Sequence, residues 1–272
     1  MIVAREADAY RLITQPDHAR LAGEMLALWR GDGLPANPRR AELIFAGREH
    51  DNGWREADAA PRCDGAGRPV DFAAMPRQER IEIWERGTAR FLEERVGRPA
   101  RPYAALLLVR HARELHHAAR REAEWRDFVR GLATLERRLR LELGAGGRAL
   151  AADYRLLNLA DTLSLAACAG WTRTLALPGL DARVEGSLAG GLGRSGAANT
   201  AAATGAADAG SAITLRLSPL PLAGATTFSV PCRRIPLRPY RGDADLGGEL
   251  AAARWQELRV RLAGMNGDGD ES

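Results

Sequence analysis

The chain has 272 residues, of which 46% are hydrophobic and 27% charged, enough apolar mass to bury a core in one large soluble domain. Its 39 basic side chains against 35 acidic ones leave a formal charge of +4, and every basic residue is arginine. That charge is modest and gathers into no basic stripe, which argues against nucleic-acid binding; arginine used throughout, with abundant Ala, Gly and Leu, reads as a GC-rich genome.

Taken in chain order, residues 2–4 and 10–14 have β character either side of a polar turn and suggest a small hairpin. Thr14-Gln15-Pro16-Asp17 then reads as a helix start: a capping threonine, a proline in the first turn and an early acid facing the helix dipole. The helix is expected to reach about Trp29, with Leu21, Met25 and Leu28 on one face and His18 one turn before them. A second helix is expected over 39–50, delivering the adjacent pair His50-Asp51 at its end, with Gly53 as the break. Residues 59–76, rich in Pro, Gly and Asp, suggest an exposed loop, and 77–94 a helix.

A long helical stretch with one break is expected over 103–143. Its first half is apolar all round; its second half carries Arg and Glu at i,i+3 and i,i+4 spacing, as a solvated face does. Residues 150–171 form the most apolar helix, and Asp161 is the one charge in its central stretch. The Gly/Ala/Ser-rich segment 186–211 cannot bury a core and reads as a disordered insertion. Strands at 213–217 and 226–230 suggest a small β-hairpin, with a further short strand at 233–238. A last helix is expected over 248–263 and a disordered tail over 265–272. The expected architecture is therefore mainly α, a single helical bundle spanning 1–272 with a small β-hairpin element near the C-terminus.

Cys63, Cys168 and Cys232 form no Cys-x-x-Cys pair, as suits a reducing cytoplasm. The first ten residues carry acids and no apolar run, unlike a secretory leader. No apolar run approaches the roughly 20 residues that cross a bilayer. A cytoplasmic protein without a membrane partner is expected.

The chemistry concentrates in a few side chains. Histidine is scarce, five in the chain, and His18, His50-Asp51 and Asp161 all fall on or beside apolar helix faces. Taken singly each has a plain explanation: His18 as a satisfied core histidine, His50-Asp51 as a chance dipeptide, Asp161 as a carboxylate paired with one of many arginines. Together they offer two nitrogens and two oxygens, a set suited to Mn, Fe, Co, Zn or Mg. His111 follows Leu107 and Leu108 on a buried helix and is a further ligand candidate, whereas His116 and His117 are expected at the surface. Asp58 and Glu49 are nearby carboxylates, Asp58 as a candidate base and Glu49 as a solvated side chain. Arg48, Arg110 and Arg113 are arginines that could meet a phosphate. Trp29, Trp84 and Trp255 lie at core spacing. No phosphate-cradling glycine motif and no Gly-x-Ser-x-Gly elbow is present.

The order His18, His50-Asp51, Asp161, with Leu159-Ala160-Asp161-Thr162-Leu163-Ser164 as the closing segment, resembles the HD-domain superfamily of metal-dependent phosphohydrolases. That resemblance implies a helical bundle, one divalent metal on His18, His50, Asp51 and Asp161, catalysis centred on Asp51, and a phosphate ester or nucleotide as substrate. Many of those enzymes place a lysine shortly after His-Asp; here stand Gly53, Trp54 and Arg55, so Arg55 is the candidate phosphate contact, with a planar fork in place of an ammonium. The stretches Gln15-Pro16-Asp17-His18-Ala19 and Arg48-Glu49-His50-Asp51-Asn52-Gly53-Trp54 more closely resemble an uncharacterised bacterial family recorded as a domain of unknown function. The alternative role is a non-catalytic ligand-sensing or interaction module with a structural metal, and a homo-oligomer is compatible with either.

Overall fold

A computed structural model describes residues 1–94, 99–187 and 212–265. Among the described residues the elements run β1 (Ile2–Arg5), β2 (Ala9–Ile13), α1 (Gln15–Leu28), α2 (Arg40–Glu49), α3 (Arg55–Ala59), α4 (Arg77–Leu92), α5 (Pro102–His116), α6 (Ala123–Glu142) and α7 (Gly147–Ala169). They continue with β3 (Thr174–Leu177), β4 (Leu180–Ser187), β5 (Ala212–Ser218), β6 (Thr226–Pro236), α8 (Asp243–Ala252) and β7 (Trp255–Gly264). The strands form one seven-stranded sheet in the order β1-β2-β6-β7-β5-β4-β3. Neighbours pair antiparallel except β5 and β7, which are parallel.

This α/β architecture overturns the expected helical bundle. The N-terminal hairpin is present, pairing Ile2 with Ile13, but it is one edge of the large sheet. The strands expected at 213–217 and 226–230 do not pair with each other, because β7 lies between them. The strand expected at 233–238 is the continuation of β6. The helix expected over 248–263 ends at Ala252, and the rest is β7. In β7, Leu258, Val260 and Leu262 are buried while Arg259 and Arg261 are exposed, the period-two pattern of a strand. The i,i+4 spacing of Leu258 and Leu262 mimics a helix only if Val260 is overlooked. Trp255, expected in the core, is 59% exposed. Gly186 and Ser187 close β4; the rest of the Gly/Ala-rich segment, and the tail beyond Met265, lie outside the described residues.

The helices sit where local chemistry starts and stops them. Thr14 caps α1 by accepting the Asp17 N–H, and Pro16 lies in the first turn. α7 ends at Gly170 in the left-handed conformation, φ 66°. α5 and α6 are the expected long stretch, broken at 117–122. α1 and α7 pack against the sheet, and α2 and α5 stand on them in turn. That makes α7 a central helix, buried from Leu156 to Cys168 along its inward face. β2 is buried on both sides: Ile13 belongs to the helix-facing core, whereas Tyr10 and Leu12 pack with Leu246 and Leu250 of α8 on the other. α1 and α2 approach closely at Gly23 and Gly47; a Cβ on Gly23 would lie 2.8 Å from the Arg48 backbone nitrogen. This contact brings His18 and the end of α2 to one place.

Candidate metal centre

Four elements each deliver polar side chains to one buried point. His18 comes from the first turn of α1, His50 and Asp51 from the residues just past α2, His111 from α5 and Asp161 from mid-α7. Gly53 does not act as the left-handed helix terminator expected of it. Its role is close approach: a Cβ there would sit 2.1 Å from the Ile83 carbonyl oxygen of α4. The turn after Asp51 is then held by α4, where Arg86 donates to the Gly53 carbonyl (3.0 Å) and Arg90 to the Asn52 carbonyl.

Four donor atoms close a ring of alternating nitrogen and oxygen. His18 Nε2 is 2.8 Å from Asp51 Oδ2, which is 3.6 Å from His50 Nε2; His50 Nε2 is 3.1 Å from Asp161 Oδ1, which is 3.8 Å from His18 Nε2. Ligands bound at roughly 2.0–2.3 Å to one divalent ion trace edges of this size. His111 Nε2 adds a contact at 3.6 Å to Asp161 Oδ2. Two sets, His18-His50-Asp51 and His50-His111-Asp161, have donor atoms close enough to share an ion. No arginine pairs with Asp161 among the described residues, so the ordinary explanation for that buried acid does not apply; histidines surround it instead.

The tautomers are set from outside the ring. The Ser164 hydroxyl donates to the Asp161 carbonyl (2.9 Å), so Ser164 Oγ accepts from His18 Nδ1–H at 2.9 Å. His50 Nδ1–H donates to the Gly47 carbonyl at 2.9 Å. Both imidazoles therefore turn an unprotonated Nε2 toward the carboxylates, the form that ligates a metal. Without a cation, these Nε2 lone pairs would face carboxylate lone pairs, and a proton has to stand between them. Burial opposes charge on His50, yet Asp51 and the Asp161 hydrogen bond outweigh it and raise its pKa to about 9. Burial likewise opposes ionisation of Asp51 and Asp161, but the histidines around them hold both below the usual carboxylate range. His111 is pushed down by burial and stays neutral; its Nδ1 is buried without a partner.

The centre opens on a cavity of about 210 Å³ whose lining includes His18, Asp51, His111 and Asp161. Trp54, Phe72 and Trp84 form aromatic walls, and Gln15 and Arg80 add polar groups. Sequence reasoning missed these wall residues; Trp84, expected as core packing, is buried yet faces this space. His116, expected at the surface, is 5% exposed. It stacks on Trp125 at 4.0 Å and accepts a hydrogen bond from Trp84 Nε1 at 2.9 Å, while His117 is exposed as expected. The i,i+5 spacing from His111 hid it, because α5 also packs against α4 and α6, whose Trp84, Trp125 and Phe128 rings enclose His116.

The remaining candidates lie elsewhere. Asp58 is buried beside the site, but its carboxylate is taken by the Met1 amino group and by the Gln15 backbone N–H at 2.6 Å. Arg55 is exposed and paired with Glu49 at 2.6 Å, outside the cavity lining. Arg48 is exposed, and Arg110 and Arg113 share the buried Glu136.

Fold and site together define an α/β protein with a buried histidine–carboxylate centre at the floor of an aromatic cavity. Over residues 1–236 the chain matches DUF3891, described as a protein of unknown function, and it belongs to that family. No curated protein and no solved structure matches the chain. Among the described residues no helix is long and apolar enough to cross a membrane.

Proposed function

We propose that the protein is a metal-dependent hydrolase of a phosphate ester, with His18, His50, Asp51 and Asp161 as the ligand set. The closed nitrogen–oxygen ring carries this reading: its edges suit one ion, its histidines present Nε2, and its two acids are buried with no arginine partner among the described residues. A divalent cation held there supplies a Lewis acid for a phosphoryl oxygen and makes a nearby water more acidic. The chain's own contribution is to fix the ligands from second partners, Ser164 and Gly47, and to restrict solvent with the aromatic walls. His111 lines the same cavity in its neutral form, the state in which it can accept a proton.

The test is metal content by mass spectrometry on untagged protein, together with turnover of a chromogenic phosphate ester, for the parent and for Asp51→Ala and Asp161→Ala. Near-stoichiometric metal in the parent, lost from both variants with a fall in turnover of roughly 100-fold or more, is the expected result. Metal without turnover would leave a sensing or structural module. A parent that takes up no Mn, Fe or Zn would sink the reading.

A further inference from the structure

One arginine, Arg80, stands in the cavity lining. Arg80, on α4, is half-buried and lines the cavity, yet it forms no ion pair among the described residues. Its guanidinium carbon lies over the Trp125 ring, 5.3 Å from the centroid, a cation–π contact. Burial lowers its pKa. Arg110 and Arg113 share Glu136, Arg101 meets Glu42 and Arg90 meets Glu56, whereas Arg80 has the Trp125 ring in place of a carboxylate. The ring contact offsets part of the cost of desolvating this charge but uses none of its N–H donors, which stay available to an anion in the cavity. A second polar group of the lining is an acceptor without a donor. Gln15 is 2% exposed, lines the same cavity, and its Oε1 is buried with no hydrogen-bond partner.

Size and wall chemistry narrow the ligand. At about 210 Å³ the cavity is smaller than the roughly 300–1,000 Å³ of pockets for drug-sized molecules, and a nucleotide would not be enclosed. Trp54, Phe72 and Trp84 offer flat apolar faces, and Leu115, 52% exposed, belongs to the same lining.

We propose that Arg80 receives the anionic headgroup of a small phosphate monoester whose compact apolar or single-ring body lies between the aromatic walls, with Gln15 Oε1 accepting from the P–OH of the monoanionic headgroup. Arg80 is thus a specificity residue for the hydrolase reading, on which this assignment of a phosphate ester rests. The guanidinium fork suits bidentate contact with phosphoryl oxygens.

The experiment is calorimetric titration with phenylphosphonate, which is not hydrolysed, and with methylphosphonate, which lacks the ring. Both are titrated into metal-free and Mn-incubated protein, and adenosine monophosphate into the metal-free protein. Arg80→Met keeps an apolar side chain of similar length beside Trp125 but removes the charge, and Arg80→Lys restores the charge without the fork; metal content and thermal unfolding are recorded for each. Phenylphosphonate should bind at least roughly tenfold tighter than methylphosphonate and adenosine monophosphate. It should weaken at least roughly tenfold in Arg80→Met and recover in part in Arg80→Lys, with metal content unchanged. Equal binding by Arg80→Met and the parent, or adenosine monophosphate binding as tightly as phenylphosphonate, would overturn the proposal. If the parent takes up no metal yet binds phenylphosphonate through Arg80, the metal hydrolase reading falls and the anion pocket stands.

Discussion

Ser164 is a small polar residue in the most apolar helix of the chain, and its two hydrogen bonds explain its place there. By donating to the Asp161 carbonyl it is left to accept from His18 Nδ1–H, which aims His18 Nε2 at Asp51. Ser164→Ala should keep the fold and lower metal affinity by roughly 10–100-fold, the usual effect of removing a partner behind a ligand histidine; a metal titration that matched the parent would show that packing alone orients the ring. His50 governs a second prediction. Its folded pKa of about 9 exceeds the ordinary 6.5, so its contribution to the metal-free protein is complete below pH 6.5 and is lost as the pH rises through about 9. The loss is at most about 3 kcal/mol. His116 works in the opposite sense. Burial holds it down to about 4, so the unfolded chain takes up its proton first and stability falls as the pH drops below 6.5. Stability of the metal-free protein should therefore peak near pH 6.5 and decline on both sides. Saturating metal, which replaces the His50 proton, should abolish the alkaline limb. Denaturant melts from pH 4 to 10 with and without metal measure this, and a metal-free profile flat from pH 6.5 to 9 would refute it.

At the scale of elements, the site depends on how closely α4 meets the turn after Asp51. Gly53→Ala would drive a Cβ against the Ile83 carbonyl oxygen, and backbone rather than a flexible side chain would have to yield. We expect about 2–3 kcal/mol of destabilisation and impaired metal binding, because the same turn carries Asp51. Gly131→Ala, at an exposed mid-helix position of α6 with nothing within 4 Å, should instead stabilise by about 0.5–1 kcal/mol. Equal melting temperatures for the two variants would refute the close-approach argument. Helices were the legible part of this sequence. The Thr14 cap, the apolar stripe of α1, the break between α5 and α6 and the lone acid of α7 are local signals, and they located His18, His111 and Asp161. The sheet was not legible, because its pairing is non-local. β7 joins β6 across α8 and β5 across both β6 and α8, and no local pattern announces that. The cavity wall was hidden for a similar reason. Trp84, Arg80 and His116 acquire meaning only when α4, α5 and α6 are placed together, since an arginine among 39 basic residues carries no distinguishing mark until its neighbours are known.

For the whole molecule, the buried histidine–carboxylate cluster links layers that otherwise meet through apolar contact. α1 and α7 lie on the sheet, α2 and α5 lie outside them, and His18, His50-Asp51, His111 and Asp161 come from all four. An ion bound by this set prefers the folded state, because the unfolded chain separates ligands that are 111 residues apart in the case of His50 and Asp161. Binding free energy then adds to stability as RT ln(1 + [L]/Kd), about 2.7 kcal/mol at a free-metal concentration 100 times Kd. The gain should appear as a rise in melting temperature of several degrees on adding the native metal, and a chelator should reverse it. Asp161→Asn separates this coupling from simple charge repulsion. Removing one of two facing acids lessens their repulsion but leaves an amide among the histidines, so the metal-free variant may be compared with its own metal-treated form. It should melt at the same temperature with and without metal, while the parent shifts. A shift of equal size in both would mean that the ion binds elsewhere, and the four elements would then owe their arrangement to packing and to the His50 proton alone.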